Sequence, residues 1–195
     1  MNRPLKLLRA EAGFSMIEVM VSLVILLLGV LGLVGLIVTS QRSETESYQR
    51  SQALLLLQDI SGRIDANRRV AVCYAITTDL VNGVPYMGIG STVTPSCGFG
   101  TIQANSLAMS DLAAWNSLLT GTTETQGGSN VGVMVGARGC VSFNAGTGSY
   151  LVSVAWQGIV PTTQPASSLK CGMGLYGNEN LRRVVSMNIN IANLN

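Results

Sequence analysis

The chain contains no histidine. That absence removes Ser-His and Cys-His nucleophilic catalysis, and histidine-ligated zinc with them. No G-x-S-x-G stretch occurs, and the carboxylates are scattered rather than paired, so acid–base chemistry has no evident seat. Charge is scarce as well. Charged residues make up 11% of the 195, and none occurs over the 23 positions between Glu18 and Arg42. A helix of that length rises about 34 Å, enough to cross a hydrocarbon core of about 30 Å. The apolar run exceeds the h-region of about 7–15 residues found in secretory signals, and no small-x-small cleavage site follows it. No cysteine stands where a lipoprotein signal needs one. An uncleaved anchor or a specialised export signal remains.

What is present then sets an orientation. Arg3, Lys6 and Arg9 precede the run, and the positive-inside tendency keeps them cytoplasmic. Everything after the run is exported. All four cysteines, Cys73, Cys97, Cys140 and Cys171, lie in that exported part, with no C-x-x-C pair among them. An oxidising compartment favours two disulfides, with three possible connectivities. The formal net charge of +2 comes from the N-terminus: three of the twelve basic residues and one of the ten acidic residues (Glu11) precede Gly13, leaving nine of each. Lys170, Arg182 and Arg183 make at most a small basic spot, not a phosphate-tracking stripe, so no nucleic acid is expected. "GMGLYG" at 172–177 matches the dinucleotide pattern, but only 18 residues follow and they read as a strand rather than a βαβ unit. The expectation is a protein that is not an enzyme and has no cofactor and no metal.

One residue resists the plain-anchor reading. Glu18 places a carboxylate in the opening turns of the apolar run, where ionisable groups are unfavourable. Cleavage between Gly13 and Phe14 would give it a role. The new chain would begin with a positive α-amine at Phe14 and carry a carboxylate at its fifth residue. At about 4 Å and an effective dielectric of about 20, an amine and a carboxylate from neighbouring subunits attract by about 4 kcal/mol before desolvation. Such a pair would set the axial register between adjacent helices.

A short basic leader ending in Gly13, followed by "FSMIEVMVSLVIL", resembles the class III prepilin signal of type IV pilins and type II secretion pseudopilins. The resemblance covers about thirty residues. It implies that Gly13 closes a leader at 1–13, that Phe14 becomes the N-methylated first residue, and that Glu18 is the register glutamate. A cytoplasmic-side prepilin peptidase would cut and methylate. Major pilins commonly carry a helix-breaking proline about two-thirds along the apolar helix; here Gly35 stands there, after Gly29 and Gly32. Each glycine disfavours helix by about 1 kcal/mol relative to alanine. The three either soften the helix as it leaves lipid for a filament or permit close packing through small residues.

Residues 14–38 read as the membrane-spanning, filament-core half of the helix and 39–69 as its amphipathic half. In the latter, Ala53, Leu56, Leu57, Ile60 and Ile64 share one face. Leu54 to Leu57 are four consecutive leucines that cover every direction around the axis, so packing on one side alone would leave two of them wet. A helix covered by its own domain on one side and by other subunits on the other would leave none.

From residue 70 to 195 the pattern is β-rich and globular. "VAVCYAITTDL" reads as a strand or an irregular segment, and "VNGVPYMGIGSTVTPSCGFG" as loop. "SDLAAWNSLLTG" reads as a short helix with Ser110 as N-cap and Gly121 as terminator. "VGVMV" reads as a strand, 140–144 and 150–157 as a hairpin, and "LRRVVSMNINI" as a final strand. The expected class is α+β, a long N-terminal helix packed on a C-terminal antiparallel sheet, as in the type IV pilin-like fold. Pairing Cys140 with Cys171 and Cys73 with Cys97 encloses adjacent elements in each case.

The segments "GCVSFNAGTGSYLVSVAWQG" and "LKCGMGLYGNENLRRVVSMNI" resemble the PilV-type minor pilins, the type IV pilus modification family. That resemblance implies a low-copy subunit that primes assembly with other minor pilins. It would sit at or near the filament tip beneath a large adhesin, supporting adhesion and twitching motility. The implied partners are major and minor pilins, the prepilin peptidase, the inner-membrane assembly platform, and membrane lipid before assembly. The implied location is the bacterial inner membrane with a periplasmic C-terminal domain, then the pilus at the cell surface. The alternatives are a minor pseudopilin of type II secretion and a membrane-anchored periplasmic binding domain.

Overall fold

A computed structural model describes residues 13–91, 93–122, 125–126, 129–130 and 134–191. The chain divides into two compact units, residues 1–43 and 44–195. Arg3, Lys6, Arg9 and the rest of the expected leader before Gly13 lie outside the described residues.

Helix α1 spans Met16–Ala66 and contributes to both units. In the first unit it is apolar all round, and every residue from Phe14 to Val38 is exposed. This stretch is long and apolar enough to cross a membrane. In the second unit the helix becomes amphipathic. Ala53, Leu57, Ile60 and Ile64, spaced four, three and four apart, are buried to 1% exposure or less. Each fully buried aliphatic side chain contributes about 1.5–3 kcal/mol against the unfolded chain. Of the four leucines, Leu57 is buried and Leu56 half-buried, while Leu54 and Leu55 are exposed at 43% and 58%.

The sheet has the order β1-β4-β5-β6, all antiparallel: β1 is Met87–Gly88, β4 Arg138–Asn144, β5 Ser149–Gln157 and β6 Arg182–Asn190. The β4–β5 hairpin pairs Val141 with Val152, and the β5–β6 ladder pairs Val154 with Val185. These four valines share the inner face and join the core with Trp156. Helix α2, Ile102–Thr120, adds Ala108, Leu112, Trp115 and Leu119 to it. Trp115 is fully buried and donates its indole N–H to the Leu56 carbonyl at 2.9 Å. A Cβ built at Gly139 of β4 would run into the Trp115 ring and Leu119, so glycine there is the notch that receives the indole. A separate small ribbon pairs β2, Thr125–Gln126, with β3, Ser129–Asn130. The α+β expectation of a long helix with a C-terminal antiparallel sheet holds.

Four boundaries differ from the expectation. Helix α1 ends at Ala66, not near Arg69, because Asn67 leaves helical dihedrals (φ −113°, ψ 38°) and donates its amide to Tyr74 Oη at 3.2 Å and the Ala104 carbonyl at 2.9 Å. A 3-10 helix, Arg68–Tyr74, then occupies the start of "VAVCYAITTDL". Helix α2 begins at Ile102 rather than after Ser110: the Thr101 hydroxyl accepts from the Ala104 N–H at 3.2 Å, and Ser110 lies in the helix interior. Its end is as expected, with Gly121 in the left-handed conformation (φ 69°). Of the "VGVMV" strand, 131–133 lie outside the described residues, and Met134 and Val135 are not in a strand.

A polar network locks the helices together. Arg63 bridges Asp59 and Asp111, both at 2.9 Å, and Tyr74 donates to the other Asp111 oxygen at 2.6 Å. Burial raises the Tyr74 phenol well above its usual range, reinforced by the Asp111 carboxylate. Burial also raises Tyr150, and raises Tyr176 against the opposing Arg138 guanidinium. A phenol raised in the folded state stabilises fully below its unfolded pKa, about 10, and loses that contribution as pH rises past it. We therefore expect the denaturation midpoint to be flat from about pH 8 to 9 and to fall steeply above about pH 10. Tyr74→Phe should shallow that fall in urea titrations followed by circular dichroism.

Candidate processing and assembly site

The expected processing bond lies just before the helix. Gly13, Phe14 and Ser15 are outside regular structure, and the helix starts at Met16. Nothing lies within 4 Å of a Cβ built at Gly13, and Phe14 is 85% exposed. Among the described residues, nothing covers the Gly13–Phe14 peptide. The Ser15 carbonyl accepts from the Glu18 N–H at 3.0 Å and from the Val19 N–H at 3.3 Å, which starts the helical ladder.

Glu18 is the acidic residue of the first turn. A carboxylate there meets the positive end of the helix dipole. Ser15 and Glu18 also stand in the S-x-x-E spacing of a capping box, a local signal that marks the helix start. Glu18 therefore has a reason to sit in this turn within its own chain, and its exposed carboxylate is also free to meet a second subunit.

Gly29, Gly32 and Gly35 all fall inside α1, and a Cβ at any of them would meet nothing within 4 Å. Their three-residue spacing puts bare backbone along one side of the exposed helix. Thr39 donates its hydroxyl to the Gly35 and Leu36 carbonyls at 3.2 and 2.9 Å, engaging the ladder near the last of them.

In the second unit the structure joins Cys73 to Cys97 and Cys140 to Cys171, with Cα separations of 5.2 and 5.8 Å. The first ties the 3-10 helix to the segment before α2. The second ties β4 to the long connection between β5 and β6. Arg182 and Arg183 are spent structurally rather than forming a basic spot. Arg182, 3% exposed, bonds Glu179 at 2.6 Å and the Leu169 and Cys171 carbonyls at 2.7 and 3.1 Å. Burial works against the Glu179 charge, but the Gly174 N–H and Arg182 outweigh it and hold that carboxyl below its ordinary range. Arg183 pairs with Glu46 at 3.0 Å and caps the Val160 and Asn180 carbonyls. The "GMGLYG" stretch forms turns, with Gly172, Gly174 and Gly177 all at positive φ.

A family model described as the prokaryotic N-terminal methylation motif matches residues 8–34. The chain carries this methylation motif. The matched stretch contains Gly13, Phe14, Glu18, Gly29 and Gly32 and stops one residue short of Gly35. The motif supports a place in the type IV pilin-like superfamily, as a pilin or a pseudopilin, and with the long apolar helix it is compatible with a membrane-anchored subunit. No curated protein and no solved structure matched the chain.

Proposed function

We propose that the chain is a minor pilin of a type IV pilus, similar to the PilV type. It is made with a leader at 1–13, cut after Gly13 by a prepilin peptidase and N-methylated at Phe14. It waits in the inner membrane with its C-terminal unit periplasmic, and then joins other minor pilins to prime the filament at or near its tip. The carrying observation is the uncovered Gly13–Phe14 peptide with Glu18 four residues on, at the head of an exposed, uncharged helical run and inside the methylation motif. The exposed Leu54 and Leu55 add a second strip for neighbouring subunits to cover.

The deciding measurement is the intact mass and N-terminal sequence of the protein from membranes, with and without the peptidase. A peptidase-dependent chain starting at methylated Phe14 supports the reading; a chain still starting at Met1 in the presence of the peptidase overturns it. Gly13→Val should abolish processing. Glu18→Ala should be cut normally, yet its recovery in sheared filaments should fall by about tenfold or more, in line with the loss of an ion pair of this strength. Normal recovery would refute the register role. Deletion separates the two filament systems: loss of surface pili and twitching indicates a pilus, loss of a secreted enzyme indicates a secretion pseudopilus.

A further inference from the structure

The face of the sheet opposite the core carries a cleft of about 220 Å³. The strand register explains its floor. Ser142 of β4 lies opposite Leu151 of β5, which lies opposite Asn188 of β6, and Ser153 is two residues along from Leu151 on the same face. An apolar Leu151 is thus flanked by a hydroxyl and an amide. Further lining comes from distant parts of the chain: Leu80 and Gly83, and Ser168 and Lys170, with Gly83 packed against the Lys170 main chain.

Three side chains here leave polar groups open to the cleft. Ser153 is only 4% exposed and lines the cleft, yet its hydroxyl makes no hydrogen bond among the described residues. Lys170 is half-buried and its ammonium reaches only the Met173 sulfur at 3.8 Å, with no carboxylate within ion-pair distance among the described residues. Asp79, next to Leu80 of the lining, spends its oxygens on the Val81 N–H and on the Asn82 N–H and amide. Asn188, on the rim, is exposed, and its amide has no protein partner among the described residues.

A half-buried cation without a counter-charge, hydroxyl and amide groups with open valences, and a small apolar platform describe a complement to a ring that is polar at its edge, apolar on one face and anionic at one substituent. The volume falls below the roughly 300–1,000 Å³ of drug-sized pockets, which points to something as small as a single ring. We propose that this cleft binds a carboxylate-bearing sugar. The carboxylate meets Lys170, the ring hydroxyls meet Ser153, Ser142 and Asn188, and the apolar C–H face lies on Leu151. The site lies wholly within residues 77–188 and does not depend on the pilin reading.

The test uses the full chain in detergent micelles, ¹⁵N-labelled, with amide resonances followed during titration. The probes are glucuronate, glucose with the same ring but no charge, acetate with the charge but no ring, and a glucuronate-containing oligosaccharide. Glucuronate should shift the amides of 151–153, 168–171 and 188 with saturation, and should bind about tenfold more tightly than glucose or acetate. Lys170→Met should remove that advantage while leaving the melting curve unchanged, and Asn188→Leu should weaken glucuronate and glucose alike. Tighter binding of the oligosaccharide would identify a glycan chain as the natural source, and equal binding a free sugar acid. Acetate binding as tightly as glucuronate, no saturable shift at 151–153, or an unaffected Lys170→Met variant would overturn the proposal.

Discussion

Trp115→Ala is expected to cost the second unit about 3–5 kcal/mol, a large share of the roughly 5–15 kcal/mol that holds a domain folded. The indole fills the space between three elements at once. It is fully buried, its N–H satisfies the Leu56 carbonyl of α1, and its ring sits in the notch left by Gly139 in β4. Alanine would leave a cavity that the sheet cannot close, because glycine has no side chain to move into it. Urea denaturation of the full chain in micelles, read by far-ultraviolet circular dichroism, should show the midpoint lowered with little change in slope. A loss under about 1 kcal/mol would mean that the indole is not the keystone between helix and sheet.

The second large effect is expected at Arg182. Its guanidinium is almost wholly buried, with a carboxylate and two main-chain carbonyls gathered around it. Methionine matches the bulk and removes every donor. The half-buried Leu169 and buried Cys171 carbonyls would lose this donor, and Glu179 would lose the cation that helps hold its charge. Breaking a buried charged arrangement from one side costs about 3 kcal/mol or more. Arg182→Lys should recover only part of that, since one ammonium cannot reproduce the planar fork that reaches three acceptors. Chemical denaturation checks both variants. Full rescue by lysine would show that charge alone matters and that the fork geometry does not.

The ease with which each feature can be read from sequence follows the distance over which it is encoded. The 23 uncharged positions, the Ala53–Ile64 stripe and the β4–β5 hairpin are local patterns, and the folded chain carries each of them. The end of α1 at Asn67 is not local, because it depends on a hydrogen bond from the Asn67 amide to the Ala104 carbonyl, 37 residues away. The start of α2 is ambiguous in sequence because "SDLAAW" and "TIQANS" both begin with a good N-cap residue, and only the seating of Ala104 and Ala108 in the core favours the earlier one. Arg182 and Lys170 looked alike as isolated basic residues. One is enclosed by carbonyls and a carboxylate and the other is not, a difference created by the connection between β5 and β6. The methylation motif is legible for the same reason, since Gly13, Phe14 and Glu18 lie within six residues.

The enclosure of the aromatic core has an optical consequence. The chain has two tryptophans, Trp115 and Trp156, and both are buried, at 0% and 3% exposure. The stretch from Gly13 to Ser43 contains neither tryptophan nor tyrosine. Intrinsic emission therefore reports on the C-terminal unit alone. A red shift means that this unit has opened, whatever the apolar helix is doing in detergent, lipid or a filament, so unfolding can be followed without a label and without interference from insertion.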